Sequence, residues 1–151
     1  MACAKLKEYL DEQRVRYVSL KHSPAFTAQE VAASAHIPGR EVAKTVVVKL
    51  DGTMAMVVLP APEMIRMNHL RAETGADKAE LATEEEFKGR FPDCEVGAMP
   101  PFGNLYDMDT FVEESLTKDE EIAFNAGTHT ELFRMSYADF QELVQPRILK
   151  G

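Results

Sequence analysis

The sequence predicts an α+β fold built on a mixed, largely antiparallel sheet with helices around it. Three observations carry this reading. A strong hairpin signal occupies residues 43–59, strand and helix patterns alternate irregularly along the chain, and no βαβ crossover rhythm is present. The chain has 151 residues, which is the length of one ordinary domain, and no linker or internal repeat divides it, so residues 1–151 are read as one domain.

In chain order, Leu6, Tyr9 and Leu10 recur at helical spacing among charged residues, so 4–13 reads as a short amphipathic helix. The β-branched and aromatic run at 15–20 reads as a strand that His22-Ser23-Pro24 ends. Thr27 with Glu30 three residues on has the capping-box pattern and opens a helix to about Ala35, which Pro38-Gly39 closes. Ala43 to Leu50 is the strongest strand signal, Asp51-Gly52 is a hairpin dipeptide, and Met54 to Leu59 is an apolar run closed by Pro60 and Pro62. Residues 63–71 read as helix and Gly75 interrupts; Thr83 with Glu86 caps another helix to about Arg90. The Gly- and Pro-dense segment 96–104 must be a shaped loop. Strands are predicted at 105–108, 121–126 and 130–135, with Gly127-Thr128 turning between the last two, and Ser136 with Asp139 caps a final helix to about Val144.

Composition excludes several classes of function. A 45% hydrophobic, 28% charged chain is globular in composition, and no apolar run approaches the ~18–20 residues of a membrane span. The start of the chain lacks a signal-peptide pattern, and the two cysteines, Cys3 and Cys94, have no zinc-type spacing, so a cytoplasmic protein is expected. A net charge of −8 argues against a broad nucleic-acid footprint, DNA included, so any RNA contact must be local. Neither a nucleophile elbow, a phosphate-binding loop, a dinucleotide fingerprint nor a histidine pair at metal spacing is present, so no cofactor and no metal site are predicted.

Three features could carry chemistry. Lys44 lies in an apolar β-branched run in which Val42, Val46 and Val48 share its face by the two-residue period. Such a lysine either reaches solvent from a half-exposed strand or stands on a core face, where it needs a partner or a ligand. The loop from Gly97 to Gly103 combines glycines that let backbone approach a ligand with prolines that stiffen it, so its amides can act as preorganised donors. Finally, His22 and His129 each stand at the end of a predicted strand.

The order His22 to Ala32, then Ala43-Lys44-Thr45-Val46-Val47, then Gly97-Ala98-Met99-Pro100-Pro101-Phe102-Gly103 resembles the YbaK/prolyl-tRNA-synthetase-associated editing domain family over about residues 4–145. The resemblance implies a freestanding domain with a partly barrel-like sheet that hydrolyses, in trans, the ester of a mischarged tRNA, usually one for proline. It implies that Lys44 is the essential lysine, close to the terminal phosphate, the sugar and the substrate's amino group. Gly97 would offer backbone polar groups to the ester or the attacking water, with Pro101 shaping the loop. Thr45, Phe102, Gly103, His22, Gly127 and His129 are the further residues expected around the substrate. The acceptor end of the tRNA is the expected partner, and an aminoacyl-tRNA synthetase a second one. Such an ester is already activated and has a vicinal ribose hydroxyl beside it, so positioning and electrostatics can do most of the work. The same residues also suit a non-catalytic module that binds an amino acid or nucleotide or docks on a synthetase, and a hydrolase of simple esters is a third reading.

Overall fold

The computed structural model describes residues 4–21, 30, 32–33 and 37–150. Its organising element is the hairpin of β2 (Ala43–Leu50) and β3 (Thr53–Pro60), paired antiparallel over all eight residues of each strand from Ala43 with Pro60 to Leu50 with Thr53. The turn works because Asp51 and Gly52 both take positive φ, 51° and 85°, which matches the twist of the flanking strands. Asp51 has a second duty: its carboxylate accepts the amides of Asp77 and Lys78, and its own amide donates to the Lys78 carbonyl. That clamp lays β4 (Ala79–Leu81) antiparallel along β2.

On its other side β3 pairs in parallel with β5 (Asp109–Glu113), and β5 pairs in parallel with β8 (Arg147–Leu149). The five-stranded sheet is therefore mixed, in the order β4-β2-β3-β5-β8. A second sheet is antiparallel, in the order β1-β7-β6, from β1 (Tyr17–Lys21), β7 (Glu131–Ser136) and β6 (Glu121–Asn125). A parallel bridge between Val42 and Ala123 joins the two sheets. Among the described residues this bridge is the one ladder contact between them.

Among the described residues, four helices pack around the sheets. Helix α1 (Ala4–Glu12) turns Leu6 and Leu10, one helical turn apart, fully into the core. Helix α2 (Met67–Thr74) buries Leu70 against Val57, Leu59 and Phe111. Helix α3 (Glu84–Phe87) opens with the capping box read from the sequence: Thr83 accepts the Glu86 amide, and Glu86 accepts the Thr83 amide. Glu86 also pairs with Lys49, and these contacts, led by the lysine, hold its carboxyl down to about 2. Helix α4 (Tyr137–Val144) is capped by Ser136, which accepts the Asp139 amide at 3.1 Å.

Some elements lie elsewhere than the sequence predicts. Helix α2 starts at Met67 rather than 63, because the Glu63 amide closes a turn onto the Pro60 carbonyl. The strand read at 105–108 is a 3₁₀ turn, Gly103–Leu105, followed by β5 from Asp109. The amides of Tyr106 and Met108 both fold back on the Gly103 carbonyl, which curls the backbone out of any extended form. The helix led by Thr83 is α-helical only to Phe87 and tightens to 3₁₀ over Lys88–Arg90. Most of the helix read from Thr27 to Ala35 lies outside the described residues, as do His22 and Cys3. Neither three-residue strand, β4 or β8, is anticipated.

The main core lies where α1 and α4 meet the antiparallel sheet, and Phe102, Phe124, Phe133 and Phe140 fill it. Phe102 has no exposed surface, and its ring centroid lies 5.5 Å from that of Phe124 and 5.6 Å from that of Phe140. The residue after it has no room for a side chain: a Cβ on Gly103 would stand 2.2 Å from Thr110 Oγ1 and 2.6 Å from the Met108 carbonyl oxygen. A threonine can rotate away, but a backbone carbonyl in a tight turn cannot. Gly103→Ala is therefore expected to destabilise the fold by about 1–3 kcal/mol. Gly89→Ala, where nothing lies within 4 Å, should stay within about 0.5 kcal/mol. Urea unfolding midpoints of the two variants check the contrast, and equal midpoints would refute it.

Candidate active site

Lys44 is the second residue of β2, opposite Leu59. Its neighbours on the same face are Val42, 2% exposed, and Val48, 0% exposed, with half-buried Val46 between. Lys44 itself is half-buried. Burial pushes its ammonium below the usual lysine pKa, and the carboxylate of Glu63 acts in the opposite direction. Among the described residues Lys44 makes neither an ion pair nor a hydrogen bond. A cation on a face whose other members are core is costly unless something pairs with it.

The glycine loop forms a second cluster. Its first residues are tied to the β6–β7 turn: Glu95 donates its amide to the Gly127 carbonyl at 2.7 Å, and Gly127 returns its own to Ala98 at 3.0 Å. Glu95 Oε1 accepts the His129 amide at 2.6 Å. The His129 ring is held by Nε2 at 2.8 Å from the Val96 carbonyl. A carbonyl only accepts, so Nε2 carries a proton in this contact. Gly97 stands over this ring, exposed, at φ 86°, and a Cβ there would meet His129 Cε1 at 3.4 Å. Pro100 and Pro101 are buried, and Phe102 plugs the far end of the loop into the core.

The loop amides are not equally available. Those of Glu95 and Ala98 donate to backbone carbonyls, whereas that of Gly97 faces only the thioether of Met99, Sδ at 3.2 Å. Sulfur is a weak acceptor, so a stronger one can displace it.

The structure thus brings Gly97, Gly127 and His129 together and leaves Phe102 and Gly103 behind them as support. Lys44 stands beside Glu63, whose charge acts on it. Ala43 packs in the cluster of Phe102 and Val47 in that of Met99, so Thr45 shares the face that packs on the 99–102 end of the loop. Sequence reasoning missed Glu63, Ser115 and Glu95, each of which stands outside any motif. Their roles come from contacts between distant segments, such as the bond from Ser115 Oγ to Glu63 Oε2 at 2.7 Å. Among the described residues no three His, Cys, Asp or Glu are grouped to hold a metal ion. Nor is any helix among the described residues long and apolar enough to cross a membrane.

Solved structures share this architecture. The hypothetical protein APE2540 superimposes with a TM-score of 0.84 at 21% identity, over 95% of this chain and 96% of its own. A candidate trans-editing enzyme for prolyl tRNA synthetase gives 0.83 at 18% identity, over 98% and 94%. A scaffold protein used for computational epitope grafting also gives 0.83, at 16% identity over 98% and 95%. At these identities the likeness establishes the fold. No curated protein matches the sequence. The family model of the aminoacyl-tRNA editing domain matches residues 22–143, a span that takes in Lys44, the glycine loop and His129, and the chain belongs to that family.

Proposed function

We propose that the protein is an aminoacyl-tRNA deacylase that hydrolyses, in trans, the ester joining a wrong amino acid to the acceptor end of a tRNA, with tRNA for proline as the leading substrate. The observation that carries the reading is Lys44, a half-buried cation without an ionic partner among the described residues, in a chain of the editing family. The structural neighbour described as a candidate trans-editing enzyme for prolyl tRNA synthetase supports the choice of tRNA.

In this reading Lys44 attracts the terminal phosphate and sugar, and the exposed Gly97 amide exchanges its thioether for the ester oxygen or the attacking water. Pro101 and Phe102 keep that amide in place, with Gly127 and His129 bracing it from below. Thr45 lies one residue from Lys44 on the loop side, and His22 remains a candidate substrate contact from the sequence. His129 acts in this reading as a brace, with its Nε2 held on the Val96 carbonyl. The vicinal ribose hydroxyl of the substrate then assists the hydrolysis by orienting the attacking water, with no metal ion. The work is expected to take place in the cytoplasm, and a synthetase docked nearby would shorten the search for substrate.

Lys44→Ala should fold normally and lose deacylation of alanyl-tRNA for proline by about a hundredfold, as loss of a key electrostatic contact does, whereas His129→Ala should lose less. Single-turnover rates of the two variants, with circular dichroism as the folding check, decide the ranking. A folded Lys44→Ala protein of full activity would remove the lysine from the mechanism.

A substrate whose terminal adenosine lacks the vicinal hydroxyl should bind with unchanged affinity and react far more slowly. Equal single-turnover rates on matched normal and deoxy substrates would show instead that the protein provides its own base. Dialysis against a chelator should leave the rate unchanged; loss of activity restored by zinc would refute the metal-free reading.

A further inference from the structure

The segment that follows β3 turns back beside Lys44. Ala61 donates its amide to the Val42 carbonyl at 2.9 Å and packs, buried, against Val42; the Glu63 amide then closes the turn on Pro60 at 3.0 Å. This puts the Glu63 carboxylate next to the start of β2, where its charge acts on Lys44. Ser115, from the 3₁₀ turn Glu114–Lys118 after β5, donates to Glu63 Oε2 at 2.7 Å. Oε1 has no hydrogen bond or ion pair among the described residues. The other carboxyl on this face, Glu113, is half-buried, and burial raises its pKa, with His69 opposing and Glu63 adding to the rise.

Lys44 and Glu63 have opposite charges, yet they do not close into an ion pair. A contact pair would neutralise both groups, whereas this arrangement leaves a cation and an anion side by side, each with capacity for a ligand. The end of an aminoacyl-tRNA has the matching polarity, with a phosphate on one side of the ester and an α-ammonium on the other. We propose that Glu63, held by Ser115, accepts the α-ammonium of the aminoacyl ester, so that the site selects esters with a free amino group over N-acylated ones. The inference rests on the deacylase reading above.

The test compares alanyl-tRNA for proline with its N-acetylated form at about pH 6.5, below the ~7.7–8.0 at which an α-amino group loses its proton. Wild-type protein should prefer the free amine by about tenfold or more in kcat/KM, the scale of one charge-assisted hydrogen bond. Glu63→Gln should bring the two rates together by slowing only the free-amine substrate, and Glu63→Asp should restore part of the preference. Ser115→Ala should reduce the preference less than Glu63→Gln does. If Glu63→Gln slows both substrates equally, Glu63 acts only through Lys44 and the proposal falls. It falls also if wild-type protein hydrolyses both forms at one rate, a result that leaves the deacylase reading intact. Failure of wild-type protein to hydrolyse either form would overturn the deacylase reading and the inference together. Urea midpoints of the variants identify any loss that comes from unfolding.

Discussion

Strand β2 is buried on both faces, and this constraint determines where every group of the candidate site can stand. Val47 packs with Met56, Met99 and Tyr106 on one side, while Val48 packs with Val57, Leu59 and Leu70 on the other. A slip of one residue would exchange the two faces and turn Lys44 to the other side of the strand. The eight-residue register with β3, the two positive-φ residues of the turn and the Asp51 clamp on β4 all oppose that slip. Lys44 is therefore placed by its strand neighbours, with no hydrogen bond or ion pair of its own among the described residues. At the same end of the strand, the Val42–Ala123 bridge ties β2 to the second sheet and so to the turn that carries Gly127 and His129.

The glycine loop has a different origin of order. Few of its residues belong to a regular element, yet it is closed at one end by reciprocal bonds to the β6–β7 turn and at the other by Phe102 in the aromatic core. Its single exposed glycine with a weakly engaged amide lies between those anchors. An amide fixed in this way meets developing negative charge without reorganising, which is the condition under which hydrogen-bond donors accelerate ester chemistry. In the proposed reading the anionic protein, with its net charge of −8, needs attraction for RNA only near the acceptor end, where a few local cations suffice.

Features set by neighbours in the chain were legible in the sequence. The hairpin from Ala43 to Pro60 carries its own β-branched pattern and turn dipeptide, and the caps at Thr83 and Ser136 are three-residue devices. Features set across space were not. Strands β4 and β8 are three residues long and exist through pairing with β2 and β5; the parallel register of β3 with β5 leaves no local trace. The strand read at 105–108 misled because its apolar residues do fill the core, but from a turn whose amides converge on the Gly103 carbonyl. In the site, Lys44 stood out because its strand is apolar on both sides. The bonds from Glu95 and Val96 to His129, and from Ser115 to Glu63, join segments that no spacing rule connects.

The energetics at Lys44 run in opposite directions for folding and for binding. A half-buried ammonium loses hydration, and the downward pull on its pKa expresses that loss. An apolar side chain of similar length would pack on Val42 and Leu59 without the penalty, so stability alone favours replacing the lysine. The nearby carboxylate could have removed the penalty by direct pairing, but its Oε2 oxygen is engaged by Ser115, and it acts on Lys44 without forming an ion pair. Both charges therefore remain only partly compensated in the free protein. In the proposed reading an incoming group with an anion for the lysine and a cation for the glutamate relieves both at once, and the free energy withheld from folding would then help to position the ester between them.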